Sequence, residues 1–156
     1  MRVLGLLLLA GCGSVAVRKP FTSYVLPPPD RDQWAMLSML QPEMLMVDQQ
    51  MTYDATSRAA TRVTYKYVNG HIPCDMPEFD NLCDGLYDPA RRIVTVMYEP
   101  GQCLSETALG HEMVHVMLWD IRGVGDPKHR MREYWSDALT KANQSFCQLH
   151  CRGFCR

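Results

Sequence analysis

The chain reads as an α+β domain: a small sheet packed on a central helix and a second C-terminal helix, stabilised by disulfides. Three patterns lead there. Residues 61–68 and 91–98 are rich in β-branched and aromatic side chains, the composition of strands. Residues 106–119 place apolar side chains at helical spacing, and 128–148 carry a second helical pattern. Cysteines cluster in the same part of the chain, as suits a small domain stapled by disulfides. The 156 residues suffice for one domain with a core, and a formal net charge of -1 gives no electrostatic reason to expect a nucleic acid as partner.

At the start, Arg2 precedes a compact apolar run over 3–10 that is too short to cross a bilayer as a helix. Leu9-Ala10-Gly11-Cys12 closes it. This order resembles the lipobox of bacterial lipoprotein signals, the alternative being an ordinary secretory signal with an incidental cysteine. The resemblance implies that 1–11 is a signal peptide, that Cys12 becomes the lipidated first residue, and that a lipid anchor holds the chain to a membrane of the cell envelope. Gly13, where an aspartate is absent, resembles the outer-membrane default of Gram-negative lipoproteins, facing the periplasm or the surface. With Cys12 set aside, Cys74, Cys83, Cys103, Cys147, Cys151 and Cys155 remain for up to three disulfides of open connectivity.

Residues 12–30 read as a lipidated tether, stiffened by Pro27, Pro28 and Pro29, and 31–156 as the folded domain. A helix is expected over 31–40, capped by Asp30 or Asp32, with Trp34, Leu37 and Leu40 on one face. Pro42 interrupts or restarts it, and 43–50 suits either a helix or a strand. The strand over 61–68 ends at the turn Asn69-Gly70. Residues 71–88, with Pro73, Pro77, Gly85, Cys74 and Cys83, read as a loop pinned by a disulfide. Arg91 to Tyr98 is the clearest strand. Ser105 caps the central helix, with Glu106 favourable to its dipole, and that helix ends near Trp119 or Asp120. The stretch 123–127, containing Gly123, Gly125 and Pro127, turns the chain.

Within the central helix stands His111-Glu112-Met113-Val114-His115, an H-E-x-x-H string. Residues four apart on a helix lie one turn apart on the same face, so both imidazoles can address one metal ion. Glu112 sits beside them as a carboxylate able to take a proton from a water that the metal activates. A catalytic zinc site also needs a third protein ligand and an open position. Two residues qualify: His129, beyond the glycine turn, and Glu133, which opens an E-x-x-x-D string with Asp137. Asp126 and Asp137 are in reach as acceptors for the ligands' remaining N–H groups. His71 and His150 read as ordinary surface or loop residues. Cys147, His150, Cys151 and Cys155 suit disulfide formation better than a structural zinc cluster.

The order H-E-M-x-H, a glycine-containing turn, then His129 resembles the SprT/Spartan-like metallopeptidases, although Arg130 stands where that family usually has glycine. The resemblance implies a zincin-like fold, Zn2+ as cofactor, His129 as third ligand and peptide-bond hydrolysis. Glu133 with Asp137 is similar instead to the thermolysin-type gluzincins, which implies Glu133 as third ligand and Asp137 as the group orienting the first histidine. In zinc peptidases of this build a strand just before the metal helix commonly lies at the sheet edge and pairs with extended substrate, so 91–98 is expected there. Tyr134 and Tyr98 are candidates for a hydrogen bond to a developing oxyanion. The expected function is a zinc-dependent metallopeptidase at the cell envelope, with Glu112 as general base and proteins or peptides as substrates. A non-enzymatic envelope lipoprotein with a structural metal site and a binding role is the alternative. An amidase acting on cell-wall peptides would share the chemistry.

Overall fold

The computed structural model describes residues 22–26, 30–75, 77, 80–97 and 106–150. The signal segment with Cys12, the prolines at 27–29, Tyr98, Cys103, Ser105, Cys151 and Cys155 lie outside them. In chain order the elements are β1 (Thr22–Leu26), α1 (Asp30–Val47), α2 (Tyr53–Thr61), β2 (Thr64–Asn69), β3 (Ile72–Pro73), β4 (Leu82–Cys83), β5 (Gly85–Asp88), β6 (Ile93–Met97), α3 (Glu106–Met117) and α4 (Thr140–His150). Two π-helical stretches, Leu118–Arg122 and Glu133–Leu139, continue α3 and lead into α4. The class is α+β, as the sequence predicts.

The four-stranded sheet has the order β1-β2-β6-β5. β2 and β6 run parallel at its centre, Thr64 opposite Ile93 through Val68 opposite Met97, and β1 and β5 lie antiparallel on the two edges. Alternation aims Tyr67, Val94 and Val96 at the helices, where all three are fully buried with Leu109, Val114 and Val116 of α3. β3 and β4 form a separate ribbon that the Cys74–Cys83 disulfide closes, with 5.9 Å between its Cα atoms. Cys147 is disulfide-bonded as well.

Several elements differ from the sequence reading, each for a physical reason. Residues 43–47 extend α1, and Pro42 sits inside an 18-residue helix. Proline removes one helical donor, but Met36, Leu40 and Met44 keep one continuous buried face across it. Trp34 does not share that face, being 54% exposed. α2 was not expected. It is set by tertiary contact: buried Gln41 donates from Nε2 to the Tyr53 carbonyl (3.1 Å), Thr56 Oγ1 (3.0 Å) and Ser57 Oγ (2.8 Å), while Thr52 caps its start. β1 falls inside the stretch read as a tether, because five residues between prolines carry too little signal to mark a strand.

The most consequential difference concerns the sheet edge. The stretch read as the edge strand yields β6 over 93–97, flanked on both sides, and the outer strand near the central helix is β5, inside the stretch read as a loop. Gly85-Leu86-Tyr87-Asp88 is short and begins with glycine, so its strand character comes from pairing with β6.

Candidate metal centre

α3 delivers two imidazoles. His111 and His115 lie one turn apart with ring centroids 4.9 Å from each other, as the helical spacing predicts. After Met117 the helix widens into its π-helical turn, and Gly123 ends it at φ +70°, where its N–H donates to the Trp119 carbonyl (3.1 Å).

The chain then folds back through a turn built on Asp126. The His129 N–H donates to the Asp126 carbonyl (2.9 Å), closing a four-residue turn with aspartate first and proline second, the residues such a turn favours. The Asp126 carboxylate accepts from the N–H groups of Arg130 and Met131 (2.9 Å each) and from Trp135 Nε1 (2.7 Å). Against the penalty of burial, these donors hold its pKa below the usual carboxylate range. Both Asp126 and His129 adopt left-handed backbone angles, φ 41° and 49°, which cost non-glycine residues about 1 kcal/mol or more each. The hydrogen bonds around Asp126 offset that cost.

As a result His129 reaches the other two imidazoles. Its Nε2 lies 3.3 Å from His115 Nε2, and the ligand atoms of His111, His115 and His129 all fall within 4.8 Å of one another. Two nitrogens bound to one tetrahedral zinc at about 2.0–2.1 Å stand roughly 3.3 Å apart, so this pair already has the separation that a shared ion requires. His115 Nδ1 donates to the Gly125 carbonyl at 2.6 Å. A carbonyl only accepts, so the proton of the neutral ring is on Nδ1 and the Nε2 lone pair is free for a metal. Burial lowers all three pKa values, aided for His111 by the neighbouring rings of His115 and His129 and for His115 by that of His129, and His111 falls to about 3. Three neutral imidazoles therefore face one point at neutral pH, an arrangement that could hold a metal ion.

The chain matches no family model, no curated protein and no solved structure.

Trp135 forms one wall of that site. Its ring centroid lies 4.8, 4.6 and 4.3 Å from those of His111, His115 and His129. The sequence reading places it only within the helical pattern over 128–148. The signal it missed is turn chemistry, because an Asp-Pro turn with donors just downstream gathers them around the aspartate. The turn and the π-helical start of the following element also correct the helix expected over 128–148, which begins later and brings His129 in on a loop.

Glu112 sits beneath the outer strand. It is 5% exposed, and its carboxylate accepts a hydrogen bond from the Tyr87 N–H of β5. Burial pushes its pKa up to about 8, with the Tyr87 N–H opposing the shift.

The other nominated residues go elsewhere. Glu133 and Asp137 are exposed, and neither joins the convergent set among the described residues. Asp126 shapes the loop, while the acceptor for His115 is the Gly125 carbonyl. Tyr134 is buried and donates to Asp48 Oδ2 at 2.7 Å, so its hydroxyl is engaged away from the imidazoles. His71 Nδ1 lies 2.6 Å from Asp84 Oδ1 beside the disulfide ribbon.

Proposed function

We propose that this protein is a zinc-dependent metallopeptidase of zincin-like build, with His111, His115 and His129 as metal ligands and Glu112 as general base. The observation that carries the reading is the convergence of three neutral imidazoles from a helix and a returning loop, beside the buried carboxyl of Glu112. A divalent cation held there supplies Lewis acidity, which lowers the pKa of a coordinated water and polarises a carbonyl. Glu112 accepts a proton at its carboxylate as water attacks a peptide carbonyl, then returns it to the leaving amine. β5, as the outer strand beside Glu112, is where an extended peptide would add to the sheet. The ligand set follows the SprT/Spartan-like order rather than the gluzincin one, since Glu133 lies apart. The lipobox order ending at Cys12 supports a tether at the cell envelope, where proteins and peptides are the substrates. Among the described residues no helix is long and apolar enough to cross a membrane.

The burial of Glu112 under β5 favours a second reading, a non-enzymatic envelope lipoprotein whose metal site is structural. Glu112→Gln separates the two. A peptidase loses turnover of a mixed peptide library by at least about a hundredfold while retaining bound zinc. Equal behaviour of the variant and the parent protein toward peptides would sink the enzymatic reading.

A further inference from the structure

One carboxylate anchors both ends of the loop that bears His129. Asp48 follows α1, its side chain only 9% exposed, and is far from the loop in sequence. Its Oδ2 accepts from Tyr134 Oη at 2.7 Å and lies 3.3 Å from Arg122 Nη1, and its Oδ1 accepts from the Gln50 N–H at 2.8 Å. The same Arg122 nitrogen donates to Gln50 Oε1 at 3.2 Å. Arg122 is the last residue of the π-helical turn before the loop, and Tyr134 belongs to the first turn of the stretch after it. Between these two posts lie Gly125, which fixes the His115 tautomer, and Asp126 and His129, held at left-handed backbone angles. A loop with two such residues does not hold its shape by local preference alone. Trp135, next to Tyr134, carries the restraint inward through its bond to Asp126 and its contacts with all three imidazoles.

We propose that Asp48 is a positioning residue for the metal centre, a partly buried anion that pins Arg122 and Tyr134 and so holds His129 at its ligand distance from His115. This rests on the metal-site reading above. It makes a claim about the metal-free protein too, because the loop is held before any ion arrives.

The test uses the full chain and two measurements on Asp48→Ala, Tyr134→Phe and Val68→Ala. The last is a control that removes packing from β2, outside the main core cluster. In the metal-free protein, hydrogen exchange of amides across 123–131 should accelerate at least about tenfold in Asp48→Ala, and less in Tyr134→Phe, with little change in the control. Zn2+ affinity, read by competition with a chromophoric chelator, should weaken about tenfold or more in Asp48→Ala and stay within about twofold in Val68→Ala at matched loss of thermal stability. Asp48→Asn keeps an acceptor for Tyr134 but loses the charge facing Arg122, and should fall between the parent and the alanine variant. Unchanged loop exchange in Asp48→Ala overturns the anchor whatever the metal result. Affinity that tracks thermal stability equally in every variant reduces Asp48 to a structural residue and overturns the positioning role. A parent protein that binds no Zn2+ while its loop exchange responds as stated overturns the metal-site reading, and with it the positioning of a ligand, but leaves the loop anchor standing.

Discussion

Gly85 and Glu112 lie so close that a methyl group on the glycine would stand 2.7 Å from Glu112 Oε1 and 2.8 Å from its Cγ. The buried carboxyl thus occupies the space a side chain on β5 would fill, and it takes the Tyr87 N–H of the same strand. Gly85→Ala should therefore displace Glu112 while leaving the imidazoles in place. Peptide turnover is expected to drop at least about tenfold, with Zn2+ affinity within about twofold of the parent. Steady-state kinetics with parallel metal titration checks this, and a joint loss of both would point to general unfolding.

His129 contributes one imidazole from a loop, whereas His111 and His115 come from a single helix. His129→Ala should weaken Zn2+ binding by at least about a hundredfold, since loss of one ligand in three leaves a pair that holds zinc poorly. Glu133→Ala should leave affinity unchanged, because Glu133 is exposed and outside the convergent set. Zinc content by mass spectrometry of the purified variants distinguishes them, and equal zinc in all three proteins would dismiss the three-imidazole site.

Gly110, in the middle of α3, makes room for three neighbours. A Cβ there would approach Leu139 Cδ1 to 2.9 Å, Asn143 Oδ1 to 3.0 Å and Met36 Sδ to 3.1 Å. Overpacking of this kind costs about 1–3 kcal/mol, partly offset by alanine's better helix propensity of about 1 kcal/mol. Gly110→Ala should be destabilised by roughly 1 kcal/mol in urea denaturation, and Gly110→Val by several times more. A stabilised alanine variant would mean that Met36 and Leu139 repack freely.

Asp48 sets an acid limit on stability. Burial alone would raise its pKa, but the Gln50 N–H, the Tyr134 hydroxyl and the Arg122 guanidinium together bring it below 3.8, the ordinary value. The folded state therefore prefers the ionised form. Its contribution is complete above about pH 4 and is lost as pH falls through the lower folded value. Asp48→Asn should be less stable than the parent at pH 7 and should approach it as pH drops toward about 3. Thermal midpoints measured across that range test the sign, and parallel curves would refute it.

Legibility in the sequence followed locality. His111, Glu112 and His115 could be read because helical periodicity alone puts the two histidines on one face. The strand β6 at 93–97 was legible from composition. β5 was not, since four residues starting with glycine become a strand only by pairing with β6. α2 needed the Gln41 side chain reaching across from α1. Trp135 and Gly125 depended on where the loop folded, and Asp48 on a contact spanning most of the chain.

From the order of residues alone come the α+β class, the helix that sets His111 and His115 on one face, and His129 and Glu133 as candidate third ligands, because propensity and spacing act over a few residues. Packing brought His129 rather than Glu133 beside His111 and His115, made β5 rather than β6 the sheet edge, and buried Glu112 beneath it. Those outcomes depend on groups far apart in sequence being brought within hydrogen-bond reach. Only the folded chain, with burial raising the cost of leaving any of them unpaired, fixes such meetings.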